Sequence, residues 1–594
     1  MENQPFETMA QDGQPCKDAF HDLRWLLVLI AFAAGIRVWL ICHTEVAARD
    51  SIGFVRYAVQ LEKQPWLEVV RHSEQHPGYP FLVLAVSQPV RHFMDGTSPK
   101  SMQVSAQVAS ALAGVLLVIP MFYLGRALFD RRVAFWATLM FQCLPVAAHV
   151  LSDGLSEATF LLFMTTGLLC AVHALRTFSL VWFACCGLCG GLAYLTRPEG
   201  VLLPLAVLLV LPLAKLMLQR REGWKRAALG GASLAVTAIV VGSPFAFAIG
   251  GFTSKPTPKK ILNVDADSSE DKAPDSYGRT AQQWDGVQGP EYAQATAAGL
   301  LAVYAPSELN SLLWWPFKAI GIELLKGYEY VLWAPLLLGV WLFRKQFRSS
   351  PGMWLMLVLC ALDIALLWRL GKVVGYISDR HVLLLVLCGL YLAAAGCIRA
   401  SEALAGFASS AWTSWRGGAA FTLRQQSWIA LGLLMGMTMF DLPGALKTLH
   451  ANRAGHRQAG QWLAQHSQPA DFLLDPYCWA HYYSGRLFLE GTKPTASPGQ
   501  AINGYIVIEH SKSDHIRLEA VPLAEEFSTF GKAVFHWPEN VSEANAKILV
   551  YELNPEAQAR AYKYVQAHPV TQIRAQEQGK RSKKSRKPEG QLKT

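Results

Sequence analysis

The 594-residue chain is 52% hydrophobic and only 16% charged, with a mean hydropathy of +0.21. An ordinary soluble protein carries about 25% charged residues, so this chain lacks the polar groups to wrap one water-soluble globe of its size. Apolar runs such as 201–218 and 353–368 approach the roughly 20 residues that cross a hydrocarbon core, which makes it a polytopic membrane protein and excludes a secreted enzyme, a cytosolic nucleic-acid binder and a fibrous protein.

The net charge of +10 then reads as an orientation signal, and no nucleic-acid partner is expected. Most of the 11 cysteines lie inside apolar runs, where a thiol behaves as a small hydrophobe. Cys185, Cys186 and Cys189 form CCxxC without histidine or acidic company, which does not make a metal site.

In chain order, residues 1–21 are a polar, cytoplasmic N-terminus. Leu23–Cys42 is long for a signal-peptide core and no small-residue cleavage site follows, so it is expected to remain as the first span. Further spans are expected near 103–124, 132–150, 155–175, 179–196, 199–218, 227–250, 327–343, 352–369, 381–399 and 427–444, about eleven in all, so that 22–445 forms one transmembrane domain. Pro80–Met94 is apolar but short and interrupted by Pro89, which suits an interfacial helix. With the N-terminus inside, the basic groups Arg126, Arg131 and Arg132, then Lys215, Arg220, Arg221, Lys225 and Arg226, then Arg344, Lys345 and Arg348 all fall on the cytoplasmic side. The outer face receives the loops 43–102 and 251–326 and everything after about 445. The second loop begins as a mixed-charge polar stretch and carries Trp284, Trp314 and Trp315.

Past the last span the composition turns soluble. His456–His466 and Glu556–Ala567 have helical spacing, and Phe472–Leu474, Tyr505–Ile508 and Ile548–Tyr551 read as strands, so 446–570 is expected to be a small extracytoplasmic α/β domain. The aromatic stretch 475–486 reads as core packing of that domain. Residues 571–594 form a basic, polar tail expected to be disordered.

Ionisable residues at span ends are costly and mark function. The outer segments carry Asp50, which could act as a general base or a metal ligand, flanked by Arg49 and Arg56; seven residues apart on a helix, these arginines share a face and could hold an anionic donor phosphate. Glu74 and His76 precede a Pro-Gly turn. Asp153 and Glu157, four residues apart, share a face if their helix starts early, with Ser152 and Ser156 as possible caps. Pro198 breaks a helix and leaves Arg197 and Glu199 at its mouth. Arg380 and His381 stand at the outer end of a span, where a guanidinium fork suits a phosphate. Asp50, Glu74, Asp153 and Glu157 could hold a divalent cation, but nothing in their spacing shows convergence. Walker A, GxGxxG, HExxH and GxSxG motifs do not occur in a convincing form.

An Asp just after the first span, HPGYP before a short apolar helix, YLGRALFDRR, LSEATFLL, LTRPEG and YISDRHVL occur in one order over about residues 20–400. This order resembles the GT-C membrane glycosyltransferases of the dolichyl-phosphate-mannose protein mannosyltransferase and aminoarabinose transferase type. The resemblance implies an α-helical membrane transferase of the cell (inner) membrane that moves a sugar from a polyprenyl-phosphate donor to a lipid, glycan or protein hydroxyl at the extracytoplasmic face. It implies Asp50 as the base or acceptor-orienting group, the His76-Pro77 segment as part of the donor cavity, and Arg197 and Arg380 as phosphate contacts. The acid expected directly before the His-Pro pair is displaced by one residue, to Glu74, with Gln75 between.

A secondary transporter or lipid flippase also has many spans and intramembrane charges, but would show internal repeats. No pair of halves is evident, the ionisable groups crowd one face, and Asp363 inside a span is the main exception. A scaffold whose outer domain binds a partner is a third possibility.

Overall fold

The first span is the helix α1 (Pro15–Cys42), from which a short segment leads into the amphipathic α2 (Arg49–Lys63). The computed structural model describes residues 15–217, 224–254, 314–374, 377–416, 419–490, 502–510 and 520–560. Most of loop 251–326 with Trp284, part of the second basic connection, the end of the expected helix Glu556–Ala567 and the tail 571–594 lie outside those residues. After α2 come α3 (Trp66–His72) and α4 (Gly78–Phe93), then α5 (Pro99–Leu116) and α6 (Val118–Leu128), which run on as one 30-residue rod. At 16 residues α4 is about 24 Å long at 1.5 Å per residue, short of a bilayer core, as expected for the interfacial segment.

Among the described residues, eight helices are long and apolar enough to cross a membrane, and Leu180–Thr196 and Trp333–Phe343 are shorter apolar helices. The expected continuous span over 132–150 is instead two pieces, α7 (Arg131–Cys143) and α8 (Pro145–Val150). Pro145 is the cause. Its ring pushes the preceding Leu144 into an extended conformation (φ −65°, ψ 125°) and it donates no amide to the helix before it. The break is covered by Arg37 of α1, wholly buried, which donates to Gln142 Oε1 (2.6 Å) and to the carbonyl of Ala148 (3.3 Å).

Then follow α9 (Glu157–Thr177), α10 (Leu180–Thr196), α11 (Leu202–Met217) and α12 (Trp224–Ile249). Later come the helices Trp315–Gly327, Pro351–Val374, Leu383–Arg416 and Leu423–Met439. Ion pairs sort the faces. Asp22 of α1 binds both Arg126 and Arg131, and Glu402 binds both Arg132 (3.0 Å) and Arg399 (3.0 Å), so two basic groups that are distant in sequence meet at one face. Arg380 stands nineteen residues before Arg399 on the same helical segment, about 28 Å away at 1.5 Å per residue, which is about the thickness of a hydrocarbon core. Arg380 and its neighbours therefore lie on the face opposite the basic cluster.

The C-terminal region is an α/β unit. Its mixed sheet has the order β1 (Phe472–Leu474), β2 (Gly504–Glu509), β4 (Ile548–Leu553), β3 (Lys532–Trp537), with β1 parallel to β2 and the other pairs antiparallel. The helices Ala454–His466 and Ala520–Ser528 accompany it. Three of the strands and the first helix match expectation. β3 does not announce itself because, after the exposed Lys532, its residues are all partly buried, without the alternation that marks a strand with one buried face. The stretch 475–486 forms a core, but one shared with the membrane part: Tyr482 donates to the Pro99 carbonyl (2.6 Å) and Tyr483 to Gln103 Oε1 (2.9 Å).

Candidate functional site

Two turns and two helix starts bring the expected residues together. Thr196 ends α10, Arg197 is extended (φ −151°, ψ 143°), and the 3-10 turn Pro198–Val201 redirects the chain into α11. This break presents Arg197 to Glu157, the first residue of α9, at 2.6 Å, and to Glu199 at 3.2 Å. Opposite them, the 3-10 turn Asp379–Val382 begins the segment that becomes the helix Leu383–Arg416 and carries Arg380 to Asp50 of α2 at 2.5 Å. Glu157 lies within electrostatic reach of Arg197, Arg380 and Asp50 together, and His381 within reach of Arg380, Arg197, Glu157 and Glu199. Six expected residues from four separate stretches thus form one cluster.

The cluster has two tiers. Arg197 and Glu157 are buried, with side chains 14% and 6% exposed, whereas Asp50 and Arg380 are 48% and 31% exposed. Burial works against the charge of Arg197, but the Glu199 and Glu157 carboxylates outweigh it and raise its pKa, so it is a permanent cation. In the turn at His381, the Ser378 amide donates to Nδ1 (3.1 Å), which leaves the proton of the neutral ring on Nε2. Asp363, expected only as an isolated charge in a span, is buried within electrostatic reach of Arg197 and Glu199.

Other expected residues lie elsewhere, for identifiable reasons. His76 is 1% exposed; its Nδ1–H donates to the Tyr194 carbonyl (2.7 Å) and its Nε2 accepts from Thr253 Oγ1 (3.0 Å), so both ring nitrogens are engaged and it braces the end of α10. Gly78 belongs to the same brace: a Cβ there would lie 2.8 Å from the Leu195 carbonyl oxygen. Glu74 sits half-buried in the loop before α4. Arg56 points to the C-terminal unit, where it binds Glu490 (2.6 Å), which also accepts from His481 (3.0 Å). Burial would raise the pKa of Glu490, but Arg56 and His481 hold it low.

Asp153 and Glu157 do not share a face. α9 starts only at Glu157, Ser156 makes no side-chain cap, and Gly154 turns the chain with φ +70°. A Cβ on Gly154 would come within 2.4 Å of Ser51 Oγ, next to Asp50, so the turn must carry glycine to seat against α2. Asp153 instead accepts from His450 Nε2 (2.7 Å), a residue beyond the last span that no motif marks. Among the described residues no three His, Cys, Asp or Glu side chains gather as metal ligands: three of the four acids named for a cation are each bound by a different cation.

The His450–Asp153 pair gives a pH test. Burial lowers the His450 pKa, but the Asp153 charge and hydrogen bond raise it above its ordinary 6.5 despite Arg453; His149 is the other titratable neighbour. A raised folded pKa means that the stabilisation is complete below the unfolded value and fades as pH rises through the folded one. The melting-temperature gap between wild type and His450→Gln is therefore expected to shrink from about pH 6 to about pH 9; a gap independent of pH contradicts this pairing.

Comparisons with known proteins bear on the fold. Residues 100–246, which include Glu157, Arg197 and Glu199, match the family model "Dolichyl-phosphate-mannose-protein mannosyltransferase". ArnT from Cupriavidus metallidurans, solved bound to undecaprenyl phosphate, superposes with a TM-score of 0.52 at 13% identity, over 90% of this chain and 98% of that one. The chain has the GT-C glycosyltransferase fold. The archaeal oligosaccharyltransferase AglB from Archaeoglobus fulgidus, in complex with an inhibitory peptide and a dolichol-phosphate, shares that fold (TM-score 0.51, 13% identity, 82% of this chain), and this chain spans 62% of its length. No curated protein matches the sequence significantly. The family match covers the buried tier of the cluster, whereas Asp50 and Arg380 lie outside it.

Proposed function

We propose that this protein is a glycosyltransferase of the cell (inner) membrane, with its N-terminus cytoplasmic, that moves a hexosyl or pentosyl unit from a polyprenyl-phosphate donor to a hydroxyl of a lipid, glycan or protein acceptor on the extracytoplasmic side. The observation that carries this reading is the Asp50–Arg380 pair, partly open to solvent, beside the more deeply buried Glu157–Arg197 pair and its partner Glu199, at the face opposite the basic cluster.

The chemistry needs little more. A glycosyl phosphate already has a charged leaving group, so the enzyme must deprotonate a hydroxyl and stabilise the departing phosphate. Asp50 takes the acceptor O–H proton, the acceptor oxygen bonds to the anomeric carbon, and the bond from that carbon to the phosphate oxygen breaks with its electron pair leaving on the polyprenyl phosphate. Arg380, the more exposed arginine, has donors for both Asp50 and a phosphate oxygen. Arg197, engaged by two carboxylates, fixes the floor beneath them, so in this reading the phosphate contact passes to Arg380. His76 supports that floor rather than touching the donor.

Arg380→Gln is expected to weaken polyprenyl-phosphate binding by about tenfold or more, the loss of a charge-assisted contact, read as ligand-induced thermal stabilisation of purified protein. If polyprenyl phosphate stabilises the protein no better than neutral polyprenol, the donor assignment fails.

A further inference from the structure

The six residues that lead from α1 to α2, 43–48, are tied to α1 at their start and to distant parts of the chain beyond it. Thr44 forms an isolated parallel bridge with Leu449, with the Glu45 amide donating to the Leu449 carbonyl (3.1 Å) and the Leu449 amide to that of His43 (3.1 Å). Arg457 donates to the Glu45 carbonyl (2.7 Å) and pairs with its carboxylate (2.5 Å). The Ala47 peptide groups are held from one short helix, Trp479–Tyr483: the Ala47 amide donates to Tyr483 Oη (2.7 Å), and the Trp479 indole N–H donates to the Ala47 carbonyl (2.8 Å). All three residues are buried, so no solvent substitutes for either bond.

Ala48, which caps α2, supplies no side-chain hydrogen bond, and Asp50 follows two residues later in the first turn. The helix is gripped further along by the same unit, through Arg56 to Glu490 and through Lys63 Nζ to the Phe488 carbonyl (2.5 Å). Its start also rests on the glycine turn at 154. The direction in which α2 leaves the membrane part, and with it the place of the Asp50 carboxylate, is thus set by its packing on the membrane helices together with groups more than 400 residues away in sequence.

We infer that Trp479 and Tyr483 of the C-terminal unit are positioning residues that hold Asp50 in register with Arg380, which makes this unit part of the reaction apparatus rather than an appendage. The inference rests on the proposed role of Asp50 as base. Removing either bond leaves a buried backbone group unsatisfied, and the segment shifts to find another partner; a displacement of about 1 Å at a reacting group is enough to cost about 100-fold in rate.

The test uses the full-length protein, with transfer from a radiolabelled polyprenyl-phosphate sugar. Tyr483→Phe, which removes one oxygen and no carbon, and Trp479→Phe, which removes the N–H, are each expected to lower kcat by about ten- to hundredfold while donor KM stays within about twofold. Tyr483→Phe carries the test if the larger change at Trp479 prevents folding. Unchanged kcat in Tyr483→Phe, with Asp50→Asn inactive, overturns the inference and leaves the base assignment standing; a rise in donor KM in step with the fall in kcat/KM also overturns it. Full turnover in Asp50→Asn removes the base assignment itself.

Discussion

Replacing Arg197 by methionine is expected to destabilise the folded protein by about 3–5 kcal/mol, the cost of breaking a buried ion pair from one side. Methionine restores much of the packing volume but leaves Glu157, 6% exposed, facing Glu199 with no cation between them. The guanidinium also stacks over Phe160, 5.8 Å from the ring centre, so the loss includes packing. Arg197→Lys keeps the charge but not the fork that reaches two carboxylates, and is expected to fall between wild type and Arg197→Met. Thermal unfolding of the purified variants measures this. An Arg197→Met protein as stable as wild type would show that the buried tier does not hold the α9 start and the 197–201 turn together.

Asp50→Asn is expected to do the opposite: stability close to wild type and transfer lowered by about 10²–10⁴-fold, the range for removing a general base. The reason lies in exposure. With Asp50 48% and Arg380 31% exposed, solvent screens the pair, and such pairs contribute about 1 kcal/mol or less. Asparagine keeps the shape but accepts no proton from the acceptor hydroxyl. Binding of polyprenyl phosphate should persist, because Arg380 remains. Retained turnover would sink the assignment of Asp50.

The contrast between these two residues shows what the sequence disclosed. The spans, the basic clusters and the helix break at Pro198 follow from composition and local chemistry, and so does the gathering of charge at one face. Which charges meet follows from pairings across the whole chain. Nothing local distinguishes His76, whose partners Tyr194 and Thr253 lie 118 and 177 residues away, from an exposed ligand-binding histidine. Arg56 finds Glu490 at a separation of 434 residues, which removes it from the phosphate site that its spacing with Arg49 suggested. Asp153 and Glu157 have the spacing of a helical pair, but Gly154 ends that possibility, a signal present in the sequence as a glycine between two acids. Pro145 likewise marks the break inside the expected span over 132–150. His450 pairs with Asp153, and Asp363 comes within electrostatic reach of Arg197, without any motif, because each depends on an element placed by the fold.

The central claim is that this face of the membrane domain performs sugar transfer. The most direct measurement is incubation of the purified protein with radiolabelled polyprenyl-phosphate sugars, with products separated into lipid-linked, free and acceptor-linked label. At least one donor is expected to lose its label to an acceptor or to water, and Asp50→Asn to abolish this loss. No transfer or hydrolysis with any donor, together with ion- or solute-coupled flux in proteoliposomes, would contradict the claim and assign the cluster to transport.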